Sequence, residues 1–308
     1  DKIMKSVKDY SVNENTTIKE LVENFGEAGG FSVKKINTAK NIYKNMQNDK
    51  DCFKILSHPA CIVSTGTRGI IKDMIKDKQV DAVMTTCGTL DHDLARLWKD
   101  YYQGSFNMDD KELHQQGINR LGNVLVPNEC YGDVLEEKLQ PIIKKLYSQK
   151  KVWNVHELIW AFGESIKDEE NAEDTIIYWA WKNKIPIYLP GPLDGAWGAQ
   201  LWNFWQLNRD FNLNLFEDDQ DFFIRVTDAK KVGAVMLGGG ISKHHVIWFN
   251  QFRNGMDYAI QISTAVEYDG SLSGAQTREA ISWGKISEEA THITVEGDVT
   301  LILPLIIV

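Results

Sequence analysis

Apolar and polar positions along this chain repeat with two alternating periods. Short apolar runs at residues 80–85, 185–190, 213–216, 231–237 and 258–263 read as buried strands. Between them the apolar positions recur every three to four residues, predicting helices at 70–76, 90–98, 131–150, 155–163, 175–184, 200–206, 218–228 and 244–253. In residues 131–150 the stripe is Leu135, Leu139, Ile142, Ile143 and Leu146. Several strands end in small residues before the next helix, as 80–85 does in Thr86-Cys87-Gly88-Thr89. Strand, tight turn and helix in that order form the parallel α/β unit. The predicted fold class is therefore α/β, an open and mostly parallel sheet flanked by helices.

Residues 1–50 read as a helical N-terminal extension. Thr17-Ile18-Lys19-Glu20 opens a run with Leu21, Val22 and Phe25 on one side, and Gly26, Gly29 and Gly30 stop it. A second amphipathic helix covers 31–46. Residues 51–308 read as a single α/β domain with no linker or internal repeat. Within it, 99–135 form an excursion with a short hairpin. The final run, 301–308, is expected to be a buried strand interrupted by Pro304.

The chain has 308 residues and a formal net charge of −9. That balance argues against nucleic acid as a partner and favours a cationic one, because phosphate binding wants a positive surface. Charged residues at 25% and apolar ones at 43% are ordinary for a soluble globular protein. Cys52, Cys61, Cys87 and Cys130 have neither zinc-site nor disulfide-framework spacing, so no metal is expected and a reduced, cytoplasmic setting is. No secretory leader pattern opens the sequence, and the last apolar run is shorter than the roughly 20 residues a membrane helix needs.

Candidate chemistry gathers near Glu279-Ala280-Ile281-Ser282-Trp283-Gly284-Lys285. A lysine held against an aromatic wall suits an amine nucleophile, because a desolvated ammonium loses its proton more easily. The ordinary alternative is a surface lysine that follows a core tryptophan. Gly238-Gly239-Gly240 at a strand end permits close approach of a ligand to the backbone, or is simply a tight turn. Ser64-Thr65-Gly66 and Thr85-Thr86-Cys87-Gly88 offer hydroxyl and amide donors of the same kind. No Gly-x-Gly-x-x-Gly fingerprint follows a strand.

In combination these segments are more specific. Gly238-Gly239-Gly240-Ile241-Ser242-Lys243-His244-His245, Arg253-Asn254-Gly255-Met256-Asp257, Glu267-Tyr268-Asp269-Gly270-Ser271-Leu272-Ser273-Gly274 and the Ser282-Trp283-Gly284-Lys285 stretch resemble the deoxyhypusine synthase family. Thr85-Thr86-Cys87-Gly88, Gly117-Ile118-Asn119-Arg120-Leu121-Gly122-Asn123 and Pro190-Gly191-Pro192-Leu193-Asp194-Gly195 extend the resemblance, which covers residues 52–308. It implies a Rossmann-like, NAD-dependent transferase, usually a homotetramer built from dimers. Spermidine is oxidised beside its secondary amine, and an enzyme lysine takes the aminobutyl group as an imine. The group passes to an acceptor amine, the lysine of translation initiation factor 5A in deoxyhypusine synthase and putrescine in related homospermidine synthases.

Carried over by position, the resemblance makes Lys285 the nucleophile, Trp283 the indole along the substrate chain, Glu279 a carboxylate for an amine end and His244 a pocket acid or base. Around NAD it implies Ser64, Thr86, Gly88, Asp194, Gly239, Gly240, Thr264, Ser273 and Asp298. Several family positions differ. Leu272 stands where the family has a second aspartate, Ala199 where it has another, Trp248 for an asparagine, Gln261 for a tyrosine and His92 for an acidic residue. A buried polyamine without partners costs several kcal/mol per charge. Either a less cationic or more apolar amine replaces spermidine, or Glu279 and carboxylates from elsewhere, such as a neighbouring subunit, hold it. The alternatives are therefore a homospermidine synthase-like enzyme with a small amine acceptor, another amine-transferring activity, and a non-catalytic paralogue that binds nucleotide and protein.

Overall fold

The computed structural model describes residues 4–308. It divides into two units, one running to Ser57 and resuming at Phe223–Val308, the other comprising His58–Phe222.

The first unit is built on four parallel strands in the order Ile286–Glu296, Met256–Ser263, Lys231–Leu237, Cys52–Ser57. Lys231–Leu237 is buried after its first residue, so its side chains have apolar neighbours on both sheet faces, as the unbroken apolar run demands. The helix Phe31–Asn48 packs on this sheet through Ile36, Ala39, Ile42, Tyr43 and Met46, one stripe at helical spacing. Gly233 makes room for it: a Cβ there would lie 2.4 Å from the Met46 sulfur. The preceding helix Ile18–Ala28 starts where expected, with Thr17 and Glu20 capping each other reciprocally. Gly26 lies inside that helix and does not stop it.

The C-terminal run is corrected by the structure. Val299–Ile307 is an α-helix, not a strand, and Pro304 lies inside it. Val299, Ile302, Leu303 and Ile306 are buried at helical spacing. The Asp298 carboxylate starts the helix by accepting from the Thr300 N–H at 2.9 Å and the Thr300 hydroxyl at 2.9 Å. Packing against Phe31–Asn48 offsets the backbone bond that Pro304 forfeits.

The second unit holds the parallel pair Ala82–Met84 and Ile187–Tyr188. The expected hairpin is Ile118–Leu121 with Val124–Pro127, joined antiparallel. Residues 213–216 are not a strand. Pairing stops after Asn212–Leu213, and a helix runs from Leu215 to Asp228. The helix expected at 200–206 begins earlier, at Ala196, and ends at Trp205. Its start is held by Asp91, distant in sequence, which accepts from the Ala196 N–H at 2.8 Å and the Trp197 N–H at 2.7 Å. Asp93 does the same for Ile176–Asn183, accepting from the N–H groups of Ile176 and Ile177 while paired with Arg68 at 2.9 Å.

Candidate functional site

Three of the parallel strands in the first unit end side by side, and each is followed by a segment singled out from the sequence. Gly238-Gly239-Gly240 follows Lys231–Leu237, Thr264 follows Met256–Ser263, and Gly297-Asp298 follows Ile286–Glu296. Carboxyl ends of parallel strands are where α/β folds bind ligands. Gly238 and Gly240 have φ of 70° and 65°, left-handed values that favour glycine. The Gly240–Asn250 helix starts within this turn. The Gly240 N–H donates to the Ser273 hydroxyl at 3.2 Å, and the Ser273 carbonyl accepts from Gln261 Nε2 at 3.1 Å and Ser263 Oγ at 2.8 Å. The buried Gln261 amide thus supports the loop from beneath.

Beside this turn lies a cavity of about 320 Å³ lined by residues of the Gly240–Asn250 helix, the Leu272–Ala280 segment and Trp283–Ile286. Lys285, His244, Glu279 and Trp283 all line it. Lys285 is only 6% exposed and Trp283 is 62% exposed, the reverse of a surface lysine behind a core tryptophan. Local folding explains the inversion. The short helix Glu279–Ser282 ends at Trp283, the Lys285 N–H turns back to the Ala280 carbonyl at 3.0 Å, and Gly284 takes a φ of 67°. That turn swings Lys285 inward as the Ile286–Glu296 strand begins. The Lys285 Nζ lies 4.7 Å from the Trp283 ring centroid and 5.6 Å from that of Trp248.

Electrostatics around the amine are specific. Burial first, then the charge of Lys285 and then His245, hold the His244 imidazole below its usual value. A neutral ring at neutral pH is able to accept a proton. Lys243 was not among the expected site residues. It also lines the cavity, and its Nζ donates to the carbonyls of Leu272 at 2.7 Å and Ala275 at 2.6 Å. Burial, opposed by Glu279 and assisted by Lys285, pushes its pKa down to about 8. Its one sequence signal was adjacency to His244. Among the described residues, Glu279 is the sole carboxylate in the lining.

The other expected residues are distributed as follows. Gly239, Gly240, Thr264, Ser273 and Asp298 belong to the first unit, and Ser64, Thr86, Gly88 and Asp194 to the second. Ser64 is buried and its hydroxyl donates to the Cys61 carbonyl at 2.6 Å. Thr86 follows the Ala82–Met84 strand, and Gly88 opens the Gly88–Trp98 helix. Asp194 is exposed, in the turn before Ala196–Trp205. His92 is buried with Nδ1 at 2.8 Å from the Tyr101 hydroxyl, and burial brings its pKa down to about 4.

The sequence profile of the family described as deoxyhypusine synthase matches residues 20–308. The chain belongs to the deoxyhypusine synthase family. A protein named "Probable deoxyhypusine synthase" in Picrophilus torridus is 55% identical over 98% of this chain and 95% of its own length. The Thermoplasma acidophilum protein of the same name is 49% identical, over 99% of this chain and 97% of its own. Among solved structures, a "putative deoxyhypusine synthase" from Entamoeba histolytica superposes with a TM-score of 0.71 at 20% identity, covering 98% of this chain and 95% of that one. That likeness supports the α/β fold. Deoxyhypusine synthase family membership makes the chain a transferase of hypusine biosynthesis. Among the described residues no helix is long and apolar enough to cross a membrane, and no cluster of His, Cys, Asp and Glu has metal-site geometry.

Proposed function

We propose that the chain is an NAD-dependent transferase that moves an aminobutyl group from spermidine to an acceptor amine through an imine on Lys285. The acceptor in this reading is a lysine of translation initiation factor 5A. The carrying observation is the Lys285 amine itself, buried to 6% exposure in a cavity that Glu279 and two indoles also line.

The residues at the strand ends fit a dinucleotide. The Gly238–Gly240 turn is free of side chains, it opens the Gly240–Asn250 helix, and no atom lies within 4 Å of a Cβ built at Gly240. Gly239, Gly240, Thr264 and Ser273 would hold the cofactor there, with Asp298 beside them. Ser64, Thr86, Gly88 and Asp194 of the other unit are proposed as cofactor contacts on the family resemblance alone. NAD, when bound, supplies reversible oxidation of the carbon beside an amine.

The chain's own residues do the rest. Glu279 pairs with an ammonium of the donor. The Lys285 amine, once its proton has been removed, attacks the oxidised carbon, a C–N bond to Lys285 forms, and the bond to the departing 1,3-diaminopropane breaks. His244 accepts the proton lost by the attacking amine and returns one to the leaving nitrogen. The acceptor amine then displaces Lys285 by the same exchange. Assembly as a homotetramer of dimers and a cytoplasmic location belong to the same proposal.

The test is incubation with NAD and spermidine, followed by borohydride trapping and mass analysis. A butylamine adduct on Lys285 is expected, absent in Lys285→Ala and Lys285→Arg while both variants still bind NAD. Turnover retained by either variant rules out the covalent step. Parallel reactions with the factor protein and with putrescine distinguish a protein acceptor from a homospermidine synthase-like activity.

A further inference from the structure

Trp248, which stands where the family resemblance has an asparagine, lines the amine cavity. It lies on the Gly240–Asn250 helix, one turn beyond His244, and the two rings stack at 5.6 Å between centroids with a 30° tilt. It is 41% exposed, so the fold does not depend on burying it. Its ring centroid is 5.6 Å from the Lys285 Nζ and that of Trp283 is 4.7 Å away, both within cation–π range. Among the described residues Glu279 is the sole carboxylate lining this cavity, whereas Leu272, Ile247 and Met236 add apolar wall.

We propose that Trp248 is a substrate-binding residue, and that the two indole faces, not a second carboxylate, hold the positive charge of the donor amine and of the iminium on Lys285. The inference rests on the reaction proposed above. Its chemical consequence is a ligand preference. A carboxylate holds an ammonium through N–H donors, so alkylating the nitrogen weakens it. An aromatic face attracts the charge without needing N–H groups, and it suits weakly hydrated, alkylated cations. The pocket therefore accepts N-alkylated amines about as readily as primary ones. A cation–π contact of about 1–2 kcal/mol corresponds to a ~5–30-fold change in affinity.

Calorimetric binding of spermidine, and of spermidine dimethylated at the terminal amine of its four-carbon arm, to the full chain loaded with NADH, which cannot accept a hydride from the donor, tests this independently of turnover. The wild-type protein is expected to bind the two within ~3-fold of each other. Trp248→Leu should weaken both by ~5–30-fold with NAD affinity unchanged, and Trp248→Phe should recover most of the loss. Trp248→Glu should restore a preference for the primary amine. Unchanged amine affinity in Trp248→Leu, failure of Trp248→Phe to differ from Trp248→Leu, or strong rejection of the dimethylated amine by the wild type each overturns the proposal. No binding of either amine by the wild type overturns it too. Amine binding that responds to Trp248 without any trapped adduct on Lys285 would leave the aromatic cage standing and sink the covalent reaction instead.

Discussion

Gly239 and Ser273 are packed backbone against backbone: a Cβ built on Gly239 would lie 2.3 Å from the Ser273 Cα. That approach by itself leaves no room for a side chain at Gly239. Gly239→Ala should push the Ser273 loop away, cost about 2–3 kcal/mol and abolish NAD binding. Gly240→Ala probes the open side of the same turn, where its methyl would enter the space proposed for NAD and should weaken NAD binding without displacing the Ser273 loop. Its φ of 65° costs about 1 kcal/mol, yet nothing lies within 4 Å of the new methyl. Thermal unfolding with and without NAD should separate the two variants.

Asp91 is buried and accepts three hydrogen bonds, from Tyr131 Oη at 2.7 Å and from the N–H groups of Ala196 and Trp197. Asp91→Ala leaves all three donors without this acceptor and should destabilise the chain by about 3 kcal/mol or more. Denaturant titration reads the loss. Asp91→Asn, which keeps one carbonyl oxygen, should fall between the alanine variant and the wild type.

His58 is fully buried, with Nδ1 at 2.9 Å from the Pro59 carbonyl, and burial pushes its pKa from 6.5 to about 4. As pH falls, the unfolded chain binds this proton first. The stability linked to neutral His58 is therefore complete above pH 6.5 and is lost between about 6.5 and 4, at most about 3 kcal/mol. Denaturation midpoints at pH 7 and pH 4.5 should fall less steeply in His58→Asn than in the wild type. Parallel slopes would remove His58 from the acid response.

Asp298 combines a visible structural task with a proposed one. Its carboxylate caps Val299–Ile307 through the Thr300 N–H and hydroxyl. Asp298→Ala should cost about 1 kcal/mol of stability. Asp298→Ser keeps a capping oxygen and should restore most of that stability. A role in holding NAD predicts that both variants weaken cofactor binding. An NAD affinity unchanged in Asp298→Ser would confine Asp298 to capping.

Much of the fold was legible along the chain because its signals are local. The run at 231–237, apolar after Lys231, became a strand with the same limits, and Thr17 with Glu20 marked a helix start through a capping box four residues long. The errors arose where a distant partner set the boundary. Ala196–Trp205 starts where Asp91 meets it, and Val299–Ile307 is helical where it packs against Phe31–Asn48 with Val299, Ile302, Leu303 and Ile306 buried. There Pro304 and a dense apolar run masked the helical spacing. In the cavity, Lys285, Glu279, Trp283 and His244 were chosen by motif and Trp248 was marked as a departure from the family pattern, whereas Lys243 entered only through its placement.

The order of residues by itself marked four of the parallel strands, at 80–85, 185–190, 231–237 and 258–263, though not Ile286–Glu296, and it indicated which family the chain belongs to and which lysine to suspect, since periodicity and motif spacing are carried by neighbours in the chain. Only the tertiary structure decided that Lys285 is buried while Trp283 is exposed, and that Trp248 rather than a second carboxylate stands near the amine. Those outcomes depend on a turn at Gly284 and on a helix and a strand start that are separated in sequence. Burial and the charge near an amine are properties of the atoms that surround it, and most of those are not its neighbours along the chain.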